Sequence, residues 1–416
     1  MDFGLSPRAA DLRDRVRAFV DAEIEPVEAQ IHHDITQARL SGGDAWTPHP
    51  LIKELQGRAR AQGLWNLFLP AEHAGRYAAD FGTDGGQGLS NTDYAPLAEV
   101  MGRSFLAPLV FNSNAPDTGN MEVLLRYGTE EQKKEWLEPL LRADIRSAFC
   151  MTEPAVASSD ATNMAATAIP DGDEIVINGT KWFSTGVGNP DCKILIFMGL
   201  SDPDADRHSR HTMVLVPRDA PGVTIDRMLN TMGYYDEPLG HGEVTFDNVR
   251  VPASNVLLGP GRAFEIAQGR LGPGRVHHCM RAIGLAERAL ELAIKRATER
   301  QAFGKPIVNL GGNRERIADA RIAINRSRLL VLNAAWLLDQ GMSLEALSAV
   351  SEIKVEVPNM ALDVIDMAIQ LHGAGGMTDD FPLAGAWVGA RSLRLADGPD
   401  EVHRGVIARL ELGKYK

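Results

Sequence analysis

The hydrophobic period of this chain changes twice, so no single-layer architecture accommodates it. From Ser6 to about Ala143 the apolar residues recur at helical spacing. Leu12, Val16, Phe19 and Val20 share one face behind an N-cap Ser6 and a Pro7 at the first helical position. Thr47-Pro48 opens a similar segment through Leu51, Leu55 and Ala59 that stops at Gly63, and Thr129 with Gln132 matches a capping box leading into Trp136, Leu137, Leu140 and Leu141. The glycine-rich run from Gly82 to Gly88 is expected to be a loop. At about Ser147 the period becomes two. Residues 164–169, a turn at 170–173 and residues 174–178 predict a hairpin, and strands are expected at 194–198, 212–216 and 243–251. After Gly261 the helical period returns in longer stretches, 282–298, 317–338 and 343–371, followed by Asp397-Gly398-Pro399 and a last helix over 400–412. The expected organisation is an α+β chain with an N-terminal helical domain (1–146), a middle β domain (147–260) and a C-terminal helical bundle (261–416).

Length and charge narrow the function. At roughly 150 residues per domain, 416 residues allow two or three domains. Lys and Arg number 43 against 55 for Asp and Glu, a net charge of −12, and an acidic surface repels phosphate backbones and anionic lipid. Nucleic acid and membrane are therefore not expected partners. Three widely spaced cysteines, Cys150, Cys192 and Cys279, fit neither a disulfide framework nor a metal site. With no apolar run near the ~20 residues of a bilayer span, the expectation is a cytoplasmic protein, or an organelle protein without its leader. The chain has no GxGxxG after a strand, no GxxxxGK[ST], no GxSxG and no HExxH, which leaves a Rossmann site, a P-loop, an α/β-hydrolase and a zincin without their signatures.

Two segments of the β block carry polar groups suited to a planar cofactor. The first is Phe149-Cys-Met-Thr-Glu-Pro154 with Ser158-Ser159-Asp160, and the second is Trp182-Phe183-Ser184-Thr185-Gly186, where an aromatic stands beside hydroxyls that can meet ring nitrogens or carbonyls. Read alone, the first is a proline-ended turn and Trp182 a core residue. Gly233, the run Phe246 to Pro252, Arg300-Gln-Ala-Phe-Gly-Lys305-Pro306 and Gln370-Leu-His-Gly373-Ala374-Gly375-Gly376 follow in order. Together these motifs resemble the acyl-CoA dehydrogenase family over nearly the whole chain.

The resemblance implies an N-terminal α-helical domain, a middle β-barrel-like domain and a C-terminal four-helix bundle, in a homotetramer built as a dimer of dimers. It implies FAD, an acyl-CoA substrate oxidised to the trans-2-enoyl-CoA, and electron-transferring flavoprotein as the electron acceptor, as in fatty acid β-oxidation. The positions matching Phe149, Met151, Thr152, Trp182 and Ser184 surround the flavin in that family. Ser158 or Ser159 matches a serine near thioester and cofactor, one extra residue before Asp160 leaving the two unseparated. Arg300 and Gln370, Leu371, His372, Gly373 and Ala374 match positions that hold the FAD of a neighbouring subunit, and Pro399, Asp400 and Glu401 complete the cofactor set. Gly272, Pro273, Gly274, Arg275 and Gly398, with Ser159, match the substrate side.

Where the family has a catalytic Glu in a YEG pattern, this chain has Asp397 in Ala396-Asp397-Gly398. That aspartate is the expected base, one methylene shorter than glutamate, with an ordinary pKa near ~3.9 that burial beside a thioester would raise. The resemblance also assigns its backbone N–H to the thioester carbonyl. On residues alone, Asp397 reads as an N-cap for the helix after Pro399, Arg275 as an exposed first-turn residue, and His277-His278 as a solvated pair. The combination of GPGRVHHCMR and ADGPDEVH is similar to the branch of the family typified by its members ten and eleven, implying a medium or long, branched or hydroxylated acyl chain. The alternatives are an acyl-CoA oxidase and a non-metabolic, nucleic-acid-binding relative.

Overall fold

The β block forms because alternation puts every second side chain on one face. The computed structural model describes residues 4–82 and 88–415, with residues 271–273 as backbone only; residues 83–87 of the expected glycine-rich loop lie outside the described residues. The strands are β1 (Arg146–Cys150), β2 (Thr167–Asp171), β3 (Glu174–Thr185), β4 (Cys192–Leu200), β5 (His211–Pro217), β6 (Val223–Met228) and β7 (His241–Pro252). β1 runs parallel to β4, which pairs antiparallel with β5, while β2, β3, β7 and β6 form an antiparallel run. The pair Thr167–Leu200 links the two groups. The expected hairpin is present, with Thr167 opposite Asn178 and Asp171 opposite Glu174. Ala148, Ile175, Ile177, Leu195, Phe197, Val214, Val244 and Phe246 enclose one buried core. β6 was not among the expected strands, because Thr224, Asp226 and Arg227 are exposed, two of them adjacent, and its apolar residues are only half-buried.

The chain divides into two compact units. One holds Met1–Ile24, Leu89–Ala107 and Gly272–Lys416, the other Glu25–Gly88 and Pro108–Leu271 with the strands. In the first, Ser6 caps Pro7–Phe19 as expected, its hydroxyl accepting from Ala9 N at 3.1 Å while donating to Asp93 at 2.9 Å. The helix Asn91–Met101 joins this unit through close backbone packing and ion pairs. A Cβ at Gly102 or Gly284 would overlap the backbone of Arg281 or Glu99 respectively, so glycine lets the helices approach there. Arg328 donates to both Glu99 oxygens at 2.8 and 2.9 Å, and Arg103 to both Glu291 oxygens at 2.8 and 2.6 Å.

Two helix starts differ from expectation. Thr47 does not cap; its amide and hydroxyl go to Asp44, and the helix Pro50–Ala61 begins behind His49, whose Nδ1 accepts from Leu51 N at 3.3 Å. The helix that was expected to hold Arg275 in its first turn starts at Ala263 and continues to Glu299 through Gly272-Pro273-Gly274. A proline has no N–H for the carbonyl four residues earlier, and that carbonyl, Gly269 O, accepts from Arg126 Nη1 at 3.1 Å instead. The side chain of Pro273 lies outside the described residues. The remaining long helices are Asn313–Asp339, Leu344–His372, Leu383–Leu393 and Asp400–Gly413.

Candidate functional site

In the strand-bearing unit, the segment after β1 is pinned to β3. Lys181 Nζ donates to Met151 O at 2.9 Å, and Trp182 N donates to Thr152 O at 2.9 Å. Glu153 accepts from Lys181 Nζ at 2.7 Å and from the amides of Ala165 and Ala166 at 2.9 and 3.0 Å. The Lys181 and Glu153 side chains are 0% and 4% exposed, so an ion pair sealed inside the β core sets the path of residues 151–153. Burial pushes the Lys181 ammonium below its ordinary value and Glu153 opposes that shift. The sequence analysis missed this pair, although a Lys in an otherwise alternating inward register was the visible signal.

This anchoring leaves Phe149, Met151, Thr152 and Trp182 half-buried. Trp182 Nε1 is buried with no hydrogen-bond partner, and the Ser184 hydroxyl has no oxygen or nitrogen partner, only the Cys150 thiol beside it. Buried polar groups are normally paired, so these orphaned atoms fit a planar group with donors and acceptors along its edge, as FAD has. Phe183, at φ 49° where the β3 register shifts, turns its ring outward next to Trp182, with centroids 5.2 Å apart. Arg270 lies over the Phe149 ring at 4.2 Å. The two serines separate here. Ser158 Oγ accepts from Glu153 N at 2.9 Å and so holds the turn together, whereas Ser159 is exposed.

In the helical unit, the loop carrying Asp397 is fastened by its carbonyls. Asp397 and Gly398 both have positive φ, 55° and 99°. Glycine suits the second position also because a Cβ there would approach His403 Nε2 to 2.9 Å. Arg275 donates Nε and Nη2 to Asp397 O at 3.2 and 3.1 Å, and His403 Nε2 lies 3.2 Å from the same oxygen. Lys354 Nζ donates to Leu393 O at 2.5 Å and Gly398 O at 3.2 Å. Arg394 Nε closes the loop on Asp400 Oδ2 at 2.8 Å, and Asn359 donates to the same oxygen at 3.2 Å.

Asp397 does not cap the following helix. Pro399 occupies the N-cap position without a side-chain bond, and the Asp397 carboxylate faces His278, with Oδ2 3.5 Å from Nε2. Arg275 is not an exposed first-turn residue either: the helix starts earlier, and its guanidinium is buried on the Asp397 carbonyl. His277 and His278 are not a solvated pair. His277 is buried edge-on against Tyr94 with centroids 4.6 Å apart, and burial holds it well below its ordinary pKa. Burial likewise lowers Arg275, Arg281 and Lys354, and takes His403 to about 4. Desolvation pushes the Cys279 thiol up to about 12, so it is no nucleophile at neutral pH.

The remaining expected residues are more dispersed. Arg300, Gln370, Gly373, Ala374 and Glu401 are exposed, Gly274, Gly398 and Pro399 are half-buried, and the Leu371 and His372 side chains turn inward, His372 Nδ1 lying 2.8 Å from Ala368 O. Lys354, His278 and His403 were missed as neighbours of the Asp397 loop. Lys354 had a signal, since it interrupts the buried stripe Val350, Ile353, Val357 and Ala361.

Family models match three successive segments: acyl-CoA dehydrogenase N-terminal domain over residues 6–144, middle domain over 148–249 and C-terminal domain over 261–412. The protein of Mycobacterium tuberculosis named "Probable acyl-CoA dehydrogenase FadE2" is 50% identical over 418 residues, covering 100% of this chain and 98% of that one. The chain belongs to the acyl-CoA dehydrogenase family. Acyl-CoA dehydrogenase family member 10 of Mus musculus is 51% identical over 409 residues, and the match spans 98% of this chain but 37% of that much longer protein. A solved chain from Mycobacterium abscessus is 65% identical, with a TM-score of 0.94 and coverage of 99% of this chain and 100% of that one. The family's N-terminal helical, middle sheet and C-terminal helical parts are all present. Among the described residues no helix is long and apolar enough to cross a membrane.

Proposed function

We propose that this family member carries out FAD-dependent α,β-dehydrogenation of an acyl-CoA thioester to the trans-2-enoyl-CoA, passing electrons to electron-transferring flavoprotein. The observation that carries the reading is the Asp397 carboxylate, which does not serve as a helix cap and stands on a loop whose neighbouring carbonyls are fastened by Arg275 and Lys354. A carboxylate on a loop that is fastened through its backbone carbonyls can take a proton and keep its place. When bound, FAD supplies the acceptor for the β-hydrogen and its electron pair.

The protein's own residues divide the remaining work. Asp397 removes the α-proton, and Arg275 positions its peptide. Trp182 Nε1 and Ser184 Oγ would meet polar groups of the flavin, and Phe149, Met151 and Thr152 would stand beside it. Ser159 takes the substrate-side role, because the Ser158 hydroxyl is committed to the turn. Exposure of Arg300, Gln370, Gly373 and Ala374 supports contact with the cofactor of a second copy in a homotetramer. The likeness to members ten and eleven supports a medium or long, branched or hydroxylated acyl chain.

The test is the visible spectrum of the purified protein mixed anaerobically with acyl-CoA thioesters from butyryl to palmitoyl, including branched and 4-hydroxylated chains. Bleaching of a yellow protein by at least one thioester, with re-oxidation by electron-transferring flavoprotein, is the expected result. A protein that refuses added FAD, or a flavin that no thioester bleaches, overturns the reading.

A further inference from the structure

His278 lies three residues beyond Arg275 and three before Arg281 on the helix Ala263–Glu299, so neighbours in this series are close to one turn apart. Arg281 Nη2 is 3.2 Å from His278 Nδ1, and His278 Nε2 is 3.5 Å from Asp397 Oδ2. A guanidinium has protons to donate and no lone pair to accept with, so in the first contact Nδ1 must be the acceptor. The ring proton then sits on Nε2, the atom that faces the carboxylate.

From this geometry we infer that His278 is a positioning residue for the base, a neutral imidazole locked by Arg281 into the Nε2–H form and steering the Asp397 carboxylate through Oδ2. The inference rests on Asp397 being the base. An aspartate reaches less far than a glutamate, and an outside donor that fixes one carboxylate oxygen fixes the direction of the other. The contact stands at 3.5 Å, and catalytic hydrogen bonds commonly shorten when bound substrate excludes water. A neutral donor also costs the base less than an imidazolium, whose full charge would stabilise the carboxylate against accepting a proton.

Two contacts act on the ring in opposite senses, the Arg281 guanidinium favouring the neutral form and the Asp397 carboxylate the charged one, and only the neutral ring keeps the lone pair that meets Arg281. Arg281 is half-buried and donates directly to it. Among the described residues the other titratable or charged groups around the Asp397 loop include Arg275, His277 and Cys279 of the same helix, Lys354 of Leu344–His372, Arg394 with Asp400, His403 of Asp400–Gly413, and Tyr94 of Asn91–Met101 beside Arg281. In the proposed step the α-C–H pair stays on the substrate carbon, the proton passes to Asp397, and His278 keeps its own proton throughout.

Three variants and one spectrum test this. With the thioester that bleaches the flavin fastest, His278→Leu is expected to lower kcat about 100-fold with KM nearly unchanged, the loss typical of a misdirected reacting group. The isotope effect from α-deuterated substrate should rise as proton abstraction becomes more limiting. His278→Gln, whose amide N–H stands in for Nε2–H, should recover most of the rate. In 15N-histidine-labelled protein without substrate, His278 should show one protonated and one bare ring nitrogen at neutral pH. A His278→Leu protein as fast as the parent, a His278→Gln protein as slow as His278→Leu, or an imidazolium spectrum overturns the positioning role alone. An Asp397→Asn protein that bleaches as fast as the parent overturns the base assignment and the positioning role together.

Discussion

The strand-built region around Phe149 to Ser184 and the loop around Asp397 achieve fixed side-chain positions by opposite means. In the first, β1 and β3 set direction by alternation, and a single buried ion pair, Lys181 with Glu153, ties the connecting segment to the sheet. In the second there is no regular element at the key residue. Asp397 and Gly398 sit at positive φ, and Arg275, His403 and Lys354 fasten their carbonyls from two long helices and the final one. Orientation by register tolerates a change of side chain at most points along the strand. Orientation by converging donors does not, because each removed donor takes a bond away from a carbonyl of the loop.

The comparison can be broken first at Asp397. Asp397→Asn should keep FAD and the fold but lose flavin reduction by about 1,000-fold or more, measured by stopped-flow bleaching, because a carboxamide is no base. The next largest effect belongs to the other region. Lys181→Met leaves Glu153 buried without its charge partner, which should cost about 3–5 kcal/mol in urea unfolding. Loss of stability there with little change at the Asp397 loop would sharpen the contrast. Trp182→Phe removes the orphaned indole N–H and should weaken FAD retention about tenfold, read by fluorescence titration of the apoprotein, the worth of one hydrogen bond.

The smallest effect is a pH slope. His403 has its pKa taken down to about 4 by burial, against about 6.5 for an unfolded histidine. The unfolded chain therefore binds the extra proton between those values, so this contribution to stability is complete above about 6.5 and is lost as pH falls toward 4. His277, also held low by burial, adds a slope of the same sign. Thermal midpoints recorded from neutral to acid pH should fall, and His403→Gln, which can still donate to Asp397 O, should flatten part of that fall.

The two regions also differ in how far they could be read beforehand. The hairpin of β2 and β3, the capping box at Thr129 and the last helix were legible because each depends on residues a few positions apart. Trp182 and Ser184 were legible as candidates on the same grounds. The capping role expected of Thr47 passed to His49 because Asp44 competes for the threonine, a local contest that propensity does not rank. Arg275, His278 and Lys354 were misread or missed as neighbours of one loop, since their partners lie between 39 and 122 residues away in the chain.

The sequence by itself determined the order of helical, strand and helical segments, the core faces and the aspartate in the Ala396-Asp397-Gly398-Pro399 turn, because hydrophobic period and turn chemistry act over a few residues. Only the tertiary structure decided that Asp397 faces an imidazole, that the Ser158 hydroxyl is bound within its own turn while Ser159 is exposed, and that residues 89–107 pack with the C-terminal helices. Those outcomes depend on which buried polar groups find partners across long loops, and that pairing is settled by packing, where an unpaired charge or carbonyl is too costly to leave.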